Sequence, residues 1–217
     1  LKDAGFDSVI VSVGGSAVTP KLPGIDSSNV VQAIDLLRRP ELASTAKNVI
    51  VVGAGAVGCE TAHFLASELG KKVIVVEMLP VVMPGLCTAN RGHLIHELEK
   101  LGVELWNCTK LKSIESGKVT LLRNVSQTVP DPYVTWTPLL PENIGNPFAK
   151  AIVEEVKEQT LDADLVVLAM GLRSGRDFYE ACIKDQVAPE VIQLGDTFQI
   201  GRVFEAVKSG SMIGRNL

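Results

Sequence analysis

Apolar residues fall along this chain in short β-branched runs that end in glycine, and the runs alternate with stretches of helical spacing. The first run, residues 7–13, ends at Gly14-Gly15 and predicts a strand buried on both faces, then a tight turn. Residues 19–26 carry Pro20, Pro23 and Gly24 and read as a linker. Residues 30–38 place Val31, Ile34 and Leu37 on one face of a helix that Pro40 stops. Residues 48–52 form a second buried run, which leads straight into Gly53-Ala54-Gly55-Ala56-Val57-Gly58. A helix is predicted over 59–69, closed by Gly70, and a strand over 72–76 with Glu77 at its end. After a loop holding Pro80 and Pro84, residues 89–101 predict an amphipathic helix ended by Gly102, and 103–106 a short strand. Residues 110–114 and 118–122 predict a hairpin around Ser116-Gly117.

The pattern then breaks. Pro130, Pro132, Pro138, Pro141 and Pro147 interrupt any long element between 124 and 149, with room for a strand over 133–136. This excursion reads as an extended segment reaching toward another domain, and its function is not legible. Residues 151–158 are charged and fit an exposed helix or an exposed strand equally. Asp164 opens a run over 165–171 that repeats the order of the first: an acid, a buried strand, a glycine turn. Two such copies flanking a central unit are what a chain shows when it leaves one domain, builds another and returns. A short strand over 191–194 ends at Gly195-Asp196, and 202–217 reads as a terminal helix.

Composition narrows the class. With 217 residues, 46% hydrophobic, the chain suits one or two domains with a substantial core. The formal charge of −4 is mild and no basic stripe is interleaved with aromatics, which argues against nucleic-acid binding. No apolar run reaches the roughly 18 residues of a membrane span, and no signal peptide is read. The chain opens at Leu1, inside what reads as a surface helix or loop, so a fragment or a processed piece is expected. Cys59, Cys87, Cys108 and Cys182 form no CxxC pair, which removes a zinc knuckle or a redox dithiol and predicts reduced thiols in a cytoplasmic protein.

The glycine-rich turn carries the chemistry. A lone GxGxxG says little, but this one follows a strand, opens a helix, and has an acid at the end of the next strand. Gly53 permits the sharp turn, Gly55 removes a Cβ that would strike a diphosphate, and Gly58 lets helix and strand pack closely. The helix N-terminus aims unsatisfied N–H groups and the positive end of its dipole at the phosphates. The Glu77 carboxylate can accept ribose hydroxyls and would repel a 2′-phosphate, which favours NADH over NADPH. His93 and His96 lie three apart on a helix, without a third ligand, and read as a solvated face; no metal site is expected. Gly14-Gly15-Ser16 lacks the frame of a nucleophile elbow.

Three segments together resemble one superfamily. Val11-Ser12-Val13-Gly14-Gly15 with Pro20 to Asp26 resembles the strand and linker that leave a flavin domain. Gly53 to Glu77 resembles the inserted NADH domain, and Leu194-Gly195-Asp196 with Glu205-Ala206 and Gly210 resembles the returning flavin-domain strand and helix. This is the order of the two-dinucleotide-fold flavoprotein reductases. Val57-Gly58-Cys59-Glu60-Thr61-Ala62, Val75-Val76-Glu77-Met78-Leu79-Pro80, Val203-Phe204-Glu205-Ala206 and the ending Ile213-Gly214-Arg215-Asn216-Leu217 are especially similar to the C-terminal FAD/NAD(P)-binding region of the 2-enoate reductase and 2,4-dienoyl-CoA reductase group, among the old yellow enzyme relatives.

The resemblance implies an α/β fold in which a Rossmann-like NAD-binding domain (28–164) is inserted in a partial FAD-binding domain (1–27 and 165–217). It implies that Asp196 bonds the flavin ribityl chain with Gly195 allowing close approach, and that Glu60 lies near the nicotinamide end. Gly14 and Gly171 would form the turns where the domains meet. The earlier GxGxxG of a complete member, its FMN barrel and its iron–sulfur cysteines are missing here. An incomplete FAD site is therefore expected, with the other FAD and FMN domains of a parent polypeptide as partners and homo-oligomerisation left open. Hydride transfer needs no side-chain acid or base, so no catalytic residue is expected. Three readings stay open: NADH passing hydride to FAD for reduction of an activated C=C bond, an NADH-binding regulatory module without turnover, and a reductase whose acceptor is a disulfide, oxygen or an electron carrier.

Overall fold

A computed structural model describes residues 1–135 and 150–216. Its elements in chain order are β1 (Ser8–Val11), β2 (Gly15–Ala17), β3 (Val30–Gln32), α1 (Ala33–Arg38), β4 (Asn48–Val52), α2 (Ala56–Ser67), β5 (Lys72–Val76), α3 (Thr88–Lys100), β6 (Glu104–Trp106), β7 (Thr109–Glu115), β8 (Lys118–Asn124), β9 (Val156–Asp162), β10 (Leu165–Leu168), β11 (Leu172–Ser174), α4 (Arg176–Lys184), β12 (Glu190–Gln193) and α5 (Val203–Ile213). The chain divides into two units, Thr19–Met170 and the pair Leu1–Val18 with Gly171–Leu217.

The Thr19–Met170 unit is built on a five-stranded sheet, all parallel, in the order β3-β10-β4-β5-β6. Its valine runs are continuous because both faces are covered. Val49, Val51, Val73, Val75 and Val167 pack on one face with Leu36 of α1, Leu65 of α2, and Ile95 and Leu98 of α3. Ile50, Val52, Val76, Val166 and Leu168 occupy the other face, against Ile114, Val119 and Leu121 of the antiparallel sheet β7-β8-β9. Each such side chain, fully buried, contributes about 1.5–3 kcal/mol, so strand register is set by both layers at once. Asp164 fixes the start of β10: its Oδ2 accepts the backbone N–H groups of Lys47 at 2.9 Å and Asn48 at 2.8 Å. The fold is α/β with a parallel sheet, as the alternation of strands and helices predicts.

The other unit pairs β1 with β12 in parallel and β2 with β11 antiparallel. α4 and α5 complete it, and α5 has no buried residue.

Several expectations are corrected. The break between units falls at 18/19 and 170/171 rather than at 27/28 and 164/165. The linker belongs with the Thr19–Met170 unit because the Pro23 carbonyl accepts the N–H of Ile114 in β7 at 2.9 Å and Gly24 packs directly on the Ile114 carbonyl. The run at 165–168 belongs there too, paired with both β4 and β3, so it is not a second copy of β1 in the outer unit. β1 is not buried on both faces: Ile10 is 44% exposed, and among the described residues only β12 pairs with it. Residues 30–32 are strand, not helix, since β-branched Val30 and Val31 pair with Val166 and Val167. Of the charged segment, residues 151–155 are irregular and only 156–158 are strand, the start of β9, held by β8. The strand expected over 133–136 lies partly outside the described residues, as do Pro138, Pro141 and Pro147.

Candidate dinucleotide site

The glycine-rich turn sits at the C-terminal end of β4, the strand from which the sheet order departs in both directions, to β10 on one side and β5 on the other. Open parallel sheets bind ligands at that reversal, where the loops diverge and leave a crevice.

The three glycines are there for different reasons. Gly53 has φ +104°, and a Cβ on it would stand 2.4 Å from the Ala169 carbonyl oxygen. A Cβ on Gly58 would stand 1.9 Å from the Gly53 carbonyl oxygen and 3.2 Å from the Ala169 Cβ. Both are demanded by the protein's own packing. Gly55 is not. Its φ of −71° suits any residue, and nothing lies within 4 Å of where its Cβ would stand. The space that Gly55 leaves free lies at the N-cap of α2, whose first-turn N–H groups on Ala56, Val57 and Gly58 have no carbonyl one turn earlier. A bare backbone, free N–H groups and a positive dipole end suit a diphosphate. A Cβ at Gly55 would fill that cradle, so the residues present fit a pyridine dinucleotide.

Glu77 follows β5 and is tied to the turn. Its Oε2 accepts the Ala54 N–H at 2.8 Å, and its Oε1 accepts the Leu79 N–H at 2.9 Å. The Ala54 carbonyl accepts the Met83 N–H at 2.7 Å. Ala54 is thus committed to shaping the turn, with its N–H already given to Glu77. Val57 and Glu60 are exposed on the first turns of α2. Cys59 is fully buried behind the turn; burial first, then the Glu77 and Glu60 charges, push its thiol up to about 12, so it stays neutral.

The remaining predicted residues lie in the other unit. Gly14, Gly171 and Gly195 all have positive φ, at 80°, 90° and 58°. The Gly14 N–H bonds the Oγ1 of buried Thr197 at 3.1 Å, which joins the Gly14 turn to the turn holding Gly195 and Asp196. Asp196 Oδ1 accepts the Gly201 N–H at 3.1 Å, so this carboxylate also closes its own loop. Sequence reasoning missed Thr197, Met83 and the buried polar pair Arg91 and Asn107, because each acts through hydrogen bonds to main-chain groups elsewhere along the chain.

Residues 2–191 match the family model described as pyridine nucleotide-disulphide oxidoreductase. An NADH oxidase of Thermoanaerobacter brockii is 31% identical over 209 residues, 95% of this chain and 27% of that protein. A cinnamate reductase of Clostridium sporogenes is 28% identical over 221 residues, 100% of this chain and 27% of that protein. The chain therefore spans about a quarter of the length of these relatives. A structure of a 2-naphthoyl-CoA reductase complex superimposes with a TM-score of 0.75 at 22% identity, covering 100% of this chain and 28% of that one, which is a likeness of fold. With a parallel-sheet unit, a bare glycine turn and a family match over most of its length, the chain belongs to the pyridine nucleotide-disulphide oxidoreductase family.

Proposed function

We propose that this chain is the NADH-binding portion of a flavin-dependent oxidoreductase, whose intact form reduces an activated C=C bond of the 2-enoate or dienoyl-CoA type. The observation that carries the reading is Gly55, a glycine that neither its dihedral angles nor its protein neighbours require. Bound at this turn, NADH supplies a hydride for a flavin. The chain's own contribution is to bind and orient. The first-turn N–H groups of α2 take the diphosphate, Gly55 keeps its approach open, and Glu77 takes the adenosine ribose. A carboxylate offers about four acceptor lone pairs; two are used by Ala54 and Leu79, which leaves two for ribose hydroxyls. Glu60, on the exposed side of α2, is the candidate to orient the carboxamide.

On the flavin side the fit is partial. Gly14 and Gly171 have nothing within 4 Å where a Cβ would stand, and for Gly195 the nearest atom is Ser12 Oγ at 3.9 Å. That turn backbone is uncovered, and Asp196 keeps a second carboxylate oxygen for the ribityl chain. The 217 residues hold one GxGxxG, and it lies in the parallel-sheet unit, so the ADP half of FAD falls to the rest of a parent polypeptide. The cinnamate reductase relative supports the C=C acceptor. Oxygen as acceptor is the second reading, favoured by the NADH oxidase relative. Among the described residues no helix is long and apolar enough to cross a membrane; a cytoplasmic setting is part of the proposal.

Titrating the chain separately with NADH, NADPH and FAD tests the reading. Tight NADH binding, weaker NADPH binding and little FAD binding are expected. Failure to bind NADH would end it.

A further inference from the structure

Two buried polar side chains tie the loop after Glu77 to residues 125–135, the start of the excursion whose pattern reveals no role. Arg91 of α3 is 5% exposed; its Nε donates to the Val82 carbonyl at 3.0 Å, and its Nη1 to the Val134 and Thr135 carbonyls at 2.9 and 3.0 Å. Asn107, also 5% exposed, donates through Nδ2 to the carbonyls of Pro80 and Pro130, both at 2.8 Å. Among the described residues no carboxylate forms an ion pair with Arg91. A buried guanidinium that spends its donors on main-chain carbonyls fixes a backbone path, since its planar fork reaches several oxygens at once.

That path ends at the glycine turn. Val82 precedes Met83, whose N–H holds the Ala54 carbonyl at 2.7 Å. Met83 has φ +48° and a side chain 1% exposed, so the loop is held in a conformation that it would not keep unaided. The Ala54 carbonyl and the Gly55 N–H belong to one rigid peptide plane and point in opposite directions. Gripping the oxygen therefore aims the N–H away from the loop. The preceding plane is held as well, through the Ala54 N–H on Glu77.

We propose that Arg91 is a positioning residue for the dinucleotide turn, bracing Val82 and Met83 against the 134–135 main chain so that the Gly55 peptide plane is preset for a diphosphate. The inference rests on the reading that NADH binds at this turn. It gives residues 125–135 a purpose, which is to supply the carbonyls against which the brace closes.

The test is direct NADH binding, by titration, beside thermal melting of the same samples. Arg91→Met removes all three bonds and is expected to weaken NADH affinity about tenfold, since the brace acts on the turn at second hand. Arg91→Lys should recover part, because an ammonium reaches one carbonyl but not all three. Tyr133→Phe is the control. It cuts the same segment's bonds to the Val103 carbonyl and the Leu105 N–H, which do not lead to Met83. It should lower the melting temperature and leave NADH affinity unchanged. Equal affinity losses in Arg91→Met and Tyr133→Phe at matched loss of stability would overturn the inference, as would unchanged affinity in Arg91→Met. If Arg91→Met does not fold, Arg91→Lys against Tyr133→Phe decides on the same terms. Gly55→Val reports on the underlying site: binding that survives this change removes the site itself, whereas binding lost there but kept in the Arg91 variants removes only the brace.

Discussion

Glu77 Oε2 accepts the Ala54 N–H at 2.8 Å, so the acid that ends β5 is part of the glycine turn before any ligand arrives. In the proposed reading one residue thereby does two jobs, holding the turn and presenting the lone pairs that would choose between nucleotides. Glu77→Arg is expected to raise the NADPH-to-NADH affinity ratio and to lower stability, because the Ala54 and Leu79 N–H groups lose their acceptor. Glu77→Gln keeps one acceptor oxygen and should raise the ratio less. Paired titrations check both, and a ratio that does not move would show the discriminator to be elsewhere.

Gly55 and Gly58 are expected to part company under the same substitution. Gly55→Ala meets no protein atom, so the melting temperature should hold while NADH binding is lost. Gly58→Ala drives a methyl into the Gly53 carbonyl, an overpacking that costs about 1–3 kcal/mol or more. Calorimetry with a parallel titration separates the two. Loss of stability in Gly55→Ala would mean that the glycine serves the fold.

Asp164 gives the acid limb of stability. Its two backbone partners, Asn48 and then Lys47, hold its carboxyl below the ordinary 3.8. A depressed value means that the contribution is present above the unfolded value and lost as pH falls through the folded one. Asp164→Ala should be less stable than the parent at neutral pH, with the gap closing toward about pH 2. Urea midpoints at the two pH values measure this, and a gap independent of pH would contradict it.

Cys59 acts at the alkaline end. Its thiol is raised from 9.0 to about 12 in the folded chain, so the unfolded chain loses that proton first as pH rises. Stability should fall progressively above the unfolded value, and Cys59→Ala should lack that component. Urea midpoints for parent and variant at about pH 8 and about pH 10.5 test it, since burial first and the two carboxylates after it push in the same direction. Parallel behaviour of the two would show the thiol to be uncoupled from folding.

The strands of the central sheet are legible because burial on both faces writes itself as uninterrupted valine and isoleucine, as at 49–52 and 73–76. The GxGxxG turn and Glu77 are legible because their spacing follows from backbone geometry. Residues 30–32 mislead since Val31 also suits a helical stripe, and only its partner Val167 decides the matter. The run at 165–168 points to the wrong unit because one buried strand looks like another until its neighbours are known. The β2–β11 ribbon leaves no periodic signal, being short and largely exposed, whereas α4 is amphipathic around buried Cys182. Arg91, Asn107 and Met83 are invisible for a different reason: what they hold is main chain, and main chain has no sequence signature.

The pairing of Val9 with Val191 joins positions 182 apart, with the whole parallel-sheet unit between them. During synthesis Val9 emerges before its partner Val191, and its edge lacks β12 until 182 further residues have been added. An orphaned β-branched strand is a template for association between chains. Prior collapse of the 19–170 segment shortens the effective tether between the two ends and lowers the entropic barrier to their meeting. Folding of the Thr19–Met170 unit first would therefore favour closure of the β1–β12 pair, and would order assembly from the middle outward.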